Sequence, residues 1–116
     1  MRAVFAIMLL VAGIVAGSGL AAAEPLRFWN LTNATVTSLR LAPAGSTAFG
    51  PNQCANDKDG EVDHNERLAL TGVMPGRYDV EVSLKQGRMC MARNVTLRGE
   101  GKYAFSLEPG DLTDCH

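Results

Sequence analysis

The stretch RYDVEVSL, residues 77–84, alternates polar and apolar side chains with a period of two. Successive side chains of a strand point to opposite faces, so this alternation predicts a β-strand with one buried face. The predicted apolar face carries Tyr78, Val80, Val82 and Leu84, and the predicted polar face carries Arg77, Asp79, Glu81 and Ser83.

Similar short segments lie on both sides of this strand and are separated by turns that contain Gly or Pro. No segment shows a convincing helical period. About six strands with turn signals at short intervals predict an all-β chain, folded as a small antiparallel β-sandwich of about six to seven strands with one long acidic loop. The other predicted strands are residues 26–30, 35–41, 88–97 and 103–107, while residues 67–71 fit either a strand or one helical turn.

The C-terminal half has a particular order of segments. An apolar strand ends at the turn Pro75-Gly76, the alternating strand with Tyr78 follows, and residues 94–97 and 103–107 supply two more strands. This order resembles the prealbumin-like or carboxypeptidase-regulatory-like β-sandwich. The resemblance implies a fold and no particular function, because such sandwiches host many functions.

The first 23 residues have the parts of a secretory signal peptide. Arg2 supplies a positive start, an apolar stretch follows, and AAA at 21–23 is a small-residue cleavage site. An uncleaved membrane anchor is the alternative, although the apolar stretch is short for a span, and no later stretch is apolar enough to cross a bilayer. We predict a signal peptide at 1–23, a single domain at 24–116, and a periplasmic or secreted location.

The charge of the chain is nearly balanced, with 11 Lys and Arg against 12 Asp and Glu. This balance argues against a basic nucleic-acid-binding surface. Five of the 12 acids lie in the ten residues 57–66, DKDGEVDHNE. A segment of this composition either binds a cation or forms a solvated turn.

The acidic segment follows most of the spacing of a calcium-binding EF-hand loop. When Gly60 is aligned with the loop glycine, the pattern covers residues 55–66, which we call the acidic loop. Val62 takes the apolar eighth position, whereas Ala55 places no side-chain oxygen at the first. No entering helix is expected, because Pro51 precedes the loop. The resemblance implies ligation by Asp57, Asp59, the backbone carbonyl of Glu61, Asp63 and Glu66.

Such a ligand set selects a hard cation. Calcium takes roughly six to eight oxygens, so water or a second molecule would complete the site, the latter giving a metal-bridged homodimer. A dense group of carboxylates also suits a trivalent ion of similar size, because Coulomb attraction grows with charge. In its loop the chain resembles the small periplasmic lanthanide-binding proteins of methylotrophic bacteria. We predict Ca²⁺ or a lanthanide as the bound ion, in a metal carrier, buffer or sensor.

Two other classes of function are weighed against metal binding. An enzyme is not expected, because the sequence shows no hydrolase triad, phosphate loop or dinucleotide fingerprint, and His64 alone among carboxylates is a poor zinc site. The alternative is a structural or interaction module of the cell envelope, which contacts a partner through a sandwich edge or the Trp29 region. The acidic loop is then only a solvated turn.

Three cysteines, Cys54, Cys90 and Cys115, allow one intramolecular disulfide, which an exported protein would keep. All three pairings are open from the sequence. We prefer Cys54–Cys115, which would tie the acidic loop to the C-terminal tail, with Cys90 as the alternative partner. Cys90 would then remain in its strand as a small hydrophobic side chain.

Overall fold

The computed structural model describes residues 25–116. The signal peptide predicted at 1–23 lies outside the described residues. Each predicted strand segment contains a strand, and the ambiguous segment 67–71 forms one as well. The strands are β1 Arg27–Asn30, β2 Val36–Pro43, β3 Arg67–Ala69, β4 Gly76–Leu84, β5 Met89–Leu97 and β6 Phe105–Leu107, with short 3₁₀ helices at Gln53–Asn56 and Pro109–Asp111.

The strands of the described chain form two three-stranded sheets. In the first sheet β4 lies between β2 and β5, and both pairs are antiparallel. In the second sheet β1 lies between β3 and β6, antiparallel to β3 and parallel to β6. The fold is therefore all-β, as predicted, and its one parallel pair joins the first strand to the last.

A single hydrophobic core collects apolar side chains from both sheets. Phe28 of β1 and Phe105 of β6 pack with their ring centroids 5.0 Å apart. Offset or tilted aromatic pairs of this kind add to the stabilisation that burial provides. The predicted apolar face of β4 is confirmed, since Val80, Val82 and Leu84 are buried and Tyr78 is half-buried.

Asp79 departs from the predicted alternation. It was expected on the polar face, yet it is only 6% exposed. The pairing of β4 with β5 shifts register between Tyr78 and Val80, because β5 carries one extra residue opposite Asp79, where Asn94 has φ +58°. The Asp79 carboxylate accepts hydrogen bonds from the N–H groups of Gly45 and Asn94, both at 2.9 Å. It thereby satisfies backbone donors on a loop and on β5.

The C-terminal tail runs along the edge of β5. Backbone hydrogen bonds of 2.9 and 3.0 Å connect Met89 with His116, and two of 2.7 Å connect Met91 with Thr113. The bridge between Met91 and Thr113 is antiparallel. The tail therefore covers part of an edge that would otherwise present unpaired backbone groups.

This pairing of the tail decides the disulfide. It brings Cys115 next to Cys90, and these two residues form the bond. The preferred Cys54–Cys115 pairing is therefore wrong. Cys54 is free and fully buried in the first 3₁₀ helix, so it is Cys54, and not Cys90, that acts as a small hydrophobic side chain.

Candidate functional site

Backbone hydrogen bonds fix the acidic loop to the sandwich at several points along its length. At its start the Asp57 N–H donates to the carbonyl of Cys54 at 3.0 Å, and the Gly60 N–H donates to the carbonyl of Asp57 at 3.1 Å. Gly60 has φ +74°, a conformation that glycine adopts without strain. Further along, buried Val62 exchanges two backbone hydrogen bonds of 2.9 Å with Val36. The apolar eighth position therefore pairs with a strand of its own chain.

Asp57 and Asp59 lie side by side in this loop. The Asp57 Oδ2 accepts a hydrogen bond from the Asp59 N–H at 3.3 Å. A hydrogen bond between the two side chains lowers the pKa of Asp57 and raises the pKa of Asp59. The two pKa values move apart because neighbouring carboxylates repel each other when both are ionised. The pair is thus a local concentration of negative charge.

The other three predicted ligands have separate partners. Glu61 forms an ion pair of 3.2 Å with Lys85. Asp63 accepts a hydrogen bond of 2.9 Å from the Thr35 hydroxyl, and Glu66 accepts one of 2.9 Å from the Asp63 N–H. Within residues 25–116, no three Asp, Glu, His or Cys side chains are grouped as a metal centre requires. The structure therefore pairs Asp57 with Asp59, while the other three acids each have a partner of their own.

A buried amide ties the acidic loop to β1. Asn30 is fully buried, and its Nδ2 donates to the carbonyls of Ala34 at 2.9 Å and Val62 at 2.8 Å. Its Oδ1 accepts from the N–H of Thr32 at 2.9 Å and from the Thr32 hydroxyl at 2.6 Å. The His64 Nδ1 lies 2.6 Å from the Thr32 carbonyl oxygen. Sequence reasoning missed Asn30, whose only signal was its place on the inner face of β1.

A second charged feature adjoins the loop. The Trp29 Nε1–H donates to the Oδ1 of Asn65, inside the acidic loop, at 3.1 Å. The Arg67 guanidinium lies 4.2 Å from the Trp29 ring centroid, the Tyr103 ring lies 5.2 Å from Trp29, and the Arg98 guanidinium lies 4.9 Å from the Tyr103 centroid. We call Trp29, Arg67, Arg98 and Tyr103 the Arg–aromatic surface. The sequence pointed to Trp29, but the other three residues of this surface are remote along the chain.

A cleft of about 470 Å³ separates the loop after β2 from the loop before β4. The Tyr78 hydroxyl at this cleft donates to the Met74 carbonyl at 2.8 Å. Among the described residues, no His, Cys, Asp, Glu or Lys lines this cleft, so it offers shape without a strong acid or base. Its apolar lining includes Leu41, Pro43, Pro51 and Val73.

The acidic loop and the Arg–aromatic surface are thus the chemical features from which function has to be argued. Over residues 25–116, no helix is long and apolar enough to cross a membrane. No known protein family, curated protein or solved structure matches this chain.

Proposed function

We propose that this protein is an exported, non-enzymatic metal carrier, buffer or sensor that binds Ca²⁺ or a lanthanide ion at the acidic loop. The observation that carries the proposal is the Asp57–Asp59 pair, whose two side chains lie side by side in one exposed turn. A cation bound between two neighbouring carboxylates relieves the repulsion between their charges. Carboxylate oxygens are the ligands that such hard cations prefer.

Further oxygen ligands for the ion, from Glu61, Asp63 and Glu66, lie within the same loop. The Glu61 ion pair and the Asp63 and Glu66 hydrogen bonds are at the surface, and exposed pairs of this kind contribute little to stability. These acids can therefore leave their present partners at small cost when an ion binds. Water, or the loop of a second molecule in a metal-bridged homodimer, would supply oxygens that the loop lacks at Ala55.

A terbium titration of the purified protein tests this proposal. Trp29 contacts Asn65 of the acidic loop, so the indole is well placed to sensitise emission from an ion bound there. We expect saturable emission that is lost in the Asp57→Asn/Asp59→Asn variant. The matched control, Glu100→Gln/Asp114→Asn, removes the same charge elsewhere and should retain emission.

Competition and calorimetry complete the test. Displacement of terbium by millimolar calcium would favour calcium, whereas resistance to calcium would favour a lanthanide, because the trivalent ion is attracted more strongly. Calorimetry on the same samples reports binding that does not involve the indole. Absence of both emission and heat would contradict the metal proposal. Recovery of a periplasmic or secreted form cleaved after Ala23 would support the proposed export.

An interaction module of the cell envelope is the second candidate, and the Arg–aromatic surface is the observation that favours it. Trp, Tyr and Arg are the residues most enriched where protein interfaces derive their binding energy. Under this alternative the acidic loop is a solvated turn with no ion. A partner that binds equally well with and without chelator, and is lost on Arg67→Glu substitution, would support it.

A further inference from the structure

The Arg–aromatic surface presents guanidinium groups that lack acidic partners. Among residues 25–116, no carboxylate lies within ion-pair distance of Arg67 or Arg98. Arg98 donates one hydrogen bond to the Tyr103 carbonyl at 3.3 Å. A guanidinium has five N–H donors, so both side chains retain donors for an external ligand. Both arginines are exposed, and the rings beneath them are half-buried.

The arrangement selects oxygen anions rather than flat uncharged ligands. Arg67 lies over the ring of Trp29, and Arg98 lies over the ring of Tyr103. One face of each ring is therefore already covered by a guanidinium, which restricts stacking by a sugar or an aromatic ligand. A guanidinium stacked on a ring is held in one orientation and still offers its planar edge to a carboxylate. The chemistry that fits this surface is a pair of carboxylates.

The chain itself carries such carboxylates next to this surface. Asp57 and Asp59 lie in the acidic loop and have no cationic partner within ion-pair distance among the described residues. The loop touches the Arg–aromatic surface through the Trp29–Asn65 hydrogen bond, and Arg67 directly follows the loop in sequence. A basic patch adjoining an acidic patch is self-complementary under a two-fold rotation, where each loop meets the other molecule's arginines.

We infer that the Arg–aromatic surface of one molecule receives the acidic loop of a second copy, giving a weak symmetric dimer. The contacts are charge-assisted hydrogen bonds between guanidinium edges and Asp carboxylates, made twice by symmetry. Exposed charge pairs are screened by salt, so the dimer dissociates as ionic strength rises past the physiological range. This dimer requires no metal, and a cation bound to Asp57 and Asp59 would compete with it, because both use the same carboxylates.

Sedimentation equilibrium of the purified protein in chelator, at low and high salt, tests the dimer. We expect a salt-sensitive monomer–dimer equilibrium at protein concentrations up to about 1 mM. The charge-reversed variants Arg67→Glu/Arg98→Glu and Asp57→Lys/Asp59→Lys should each be monomeric. An equimolar mixture of the two variants should associate at least about tenfold more tightly than either alone, because each supplies what the other lacks.

The control variant Arg77→Glu/Arg88→Glu makes the same change of charge at exposed arginines elsewhere and should dimerise as the parent does. Circular dichroism of every variant checks that it is folded. A parent that stays monomeric at all salt concentrations overturns the inference, as does a mixture of the charge-reversed variants that fails to associate. A dimer that forms only when metal is added also overturns it and indicates the ion-bridged dimer instead.

Discussion

Asn30 is the residue at which β1, the following turn and the acidic loop meet. Its side chain makes four hydrogen bonds and is fully buried. Replacing it by Leu leaves two backbone carbonyls, one N–H and the Thr32 hydroxyl without this partner in the core. We expect Asn30→Leu to lower the free energy of unfolding by about 3 kcal/mol or more, measured by urea denaturation.

Asn33 provides the comparison for this prediction, because it lies in the same turn and is exposed. Its replacement by Ala should change stability by less than about 0.5 kcal/mol. Equal effects of the two substitutions on the free energy of unfolding would show that the turn, and not the buried amide, provides the stabilisation.

Asp79 gives the fold a dependence on pH. Hydrogen bonds from the Gly45 and Asn94 N–H groups, with the Arg93 guanidinium nearby, lower the pKa of its carboxyl. A lowered pKa in the folded state means that the stabilisation is complete above the ordinary value near 4. It is lost as the pH falls through the lower, folded-state pKa. We expect the melting temperature of the Asp79→Asn variant to fall less than that of the parent between pH 7 and pH 2, because the variant has no carboxyl to protonate at this position.

The matched change Glu100→Gln alters an exposed carboxyl, so its pH profile should follow that of the parent. An Asp79→Asn profile parallel to that of the parent would show that other carboxyls cause the acid response. The sequence could not have predicted this role for Asp79, because the period-two pattern of β4 gives no sign of the extra residue in β5. That extra residue brings the Asn94 N–H to the Asp79 carboxylate, and it lies outside the local sequence of β4.

At the scale of elements, the C-terminal tail depends on its disulfide. The Cys90–Cys115 bond closes a loop of 25 residues and holds the tail against β5. Removing a cross-link of this size costs about 3 kcal/mol in the chain-entropy description. We expect Cys115→Ala to lose about this much stability in urea and to increase hydrogen exchange at the Met89 and Met91 amides.

Reduction of the parent protein should reproduce the effect of Cys115→Ala, whereas Cys54→Ala should keep the bond intact. Peptide mapping that links Cys54 to Cys115 would contradict the structure. The sequence left this pairing open, because the tail's position along β5 is a long-range contact that no local pattern specifies.

The acidic loop shows the same division between local and distant determinants. Its turn chemistry followed from spacing alone, and Gly60 does take the left-handed conformation that such a turn requires. The distribution of its acids did not follow, because the Val62–Val36 bridge and the Thr35 and Lys85 side chains come from other strands. Spacing thus places the five acids in one loop, whereas contacts with other strands set the partners of Glu61 and Asp63.

For the molecule as a whole, short polar side chains join the two sheets at one edge. The Asn52 Oδ1 accepts from the Leu39 N–H of β2 at 3.0 Å, whereas the Asn56 Nδ2 donates to the Ala69 carbonyl of β3 at 2.8 Å. The 3₁₀ helix between these residues therefore bridges the edge strands of both sheets. Amides of this kind resemble ordinary loop residues in the sequence, so this bridge between the two edge strands could not be predicted from it.

Cys54 lies in that bridging helix and can report on the opening of the whole sandwich. Its thiol lies 3.7 Å from the Val36 carbonyl oxygen and is fully buried. Burial, with the nearby charges of Asp57 and Glu61, raises its pKa to about 11. Alkylating reagents attack the thiolate, so the native thiol should be inert at neutral pH and should react only in molecules that have opened.

If the two sheets separate as one cooperative unit, the opening free energy from Cys54 alkylation under native conditions equals that from urea denaturation. We expect this agreement, because the helix is bonded to both sheets and its release requires breaking contacts with each. Asn56→Ala, which removes one of those bonds, should lower both free energies together. Alkylation much faster than global unfolding allows would instead show that residues 53–56 open locally, and the polar bridge would then not bind the two sheets into one unit.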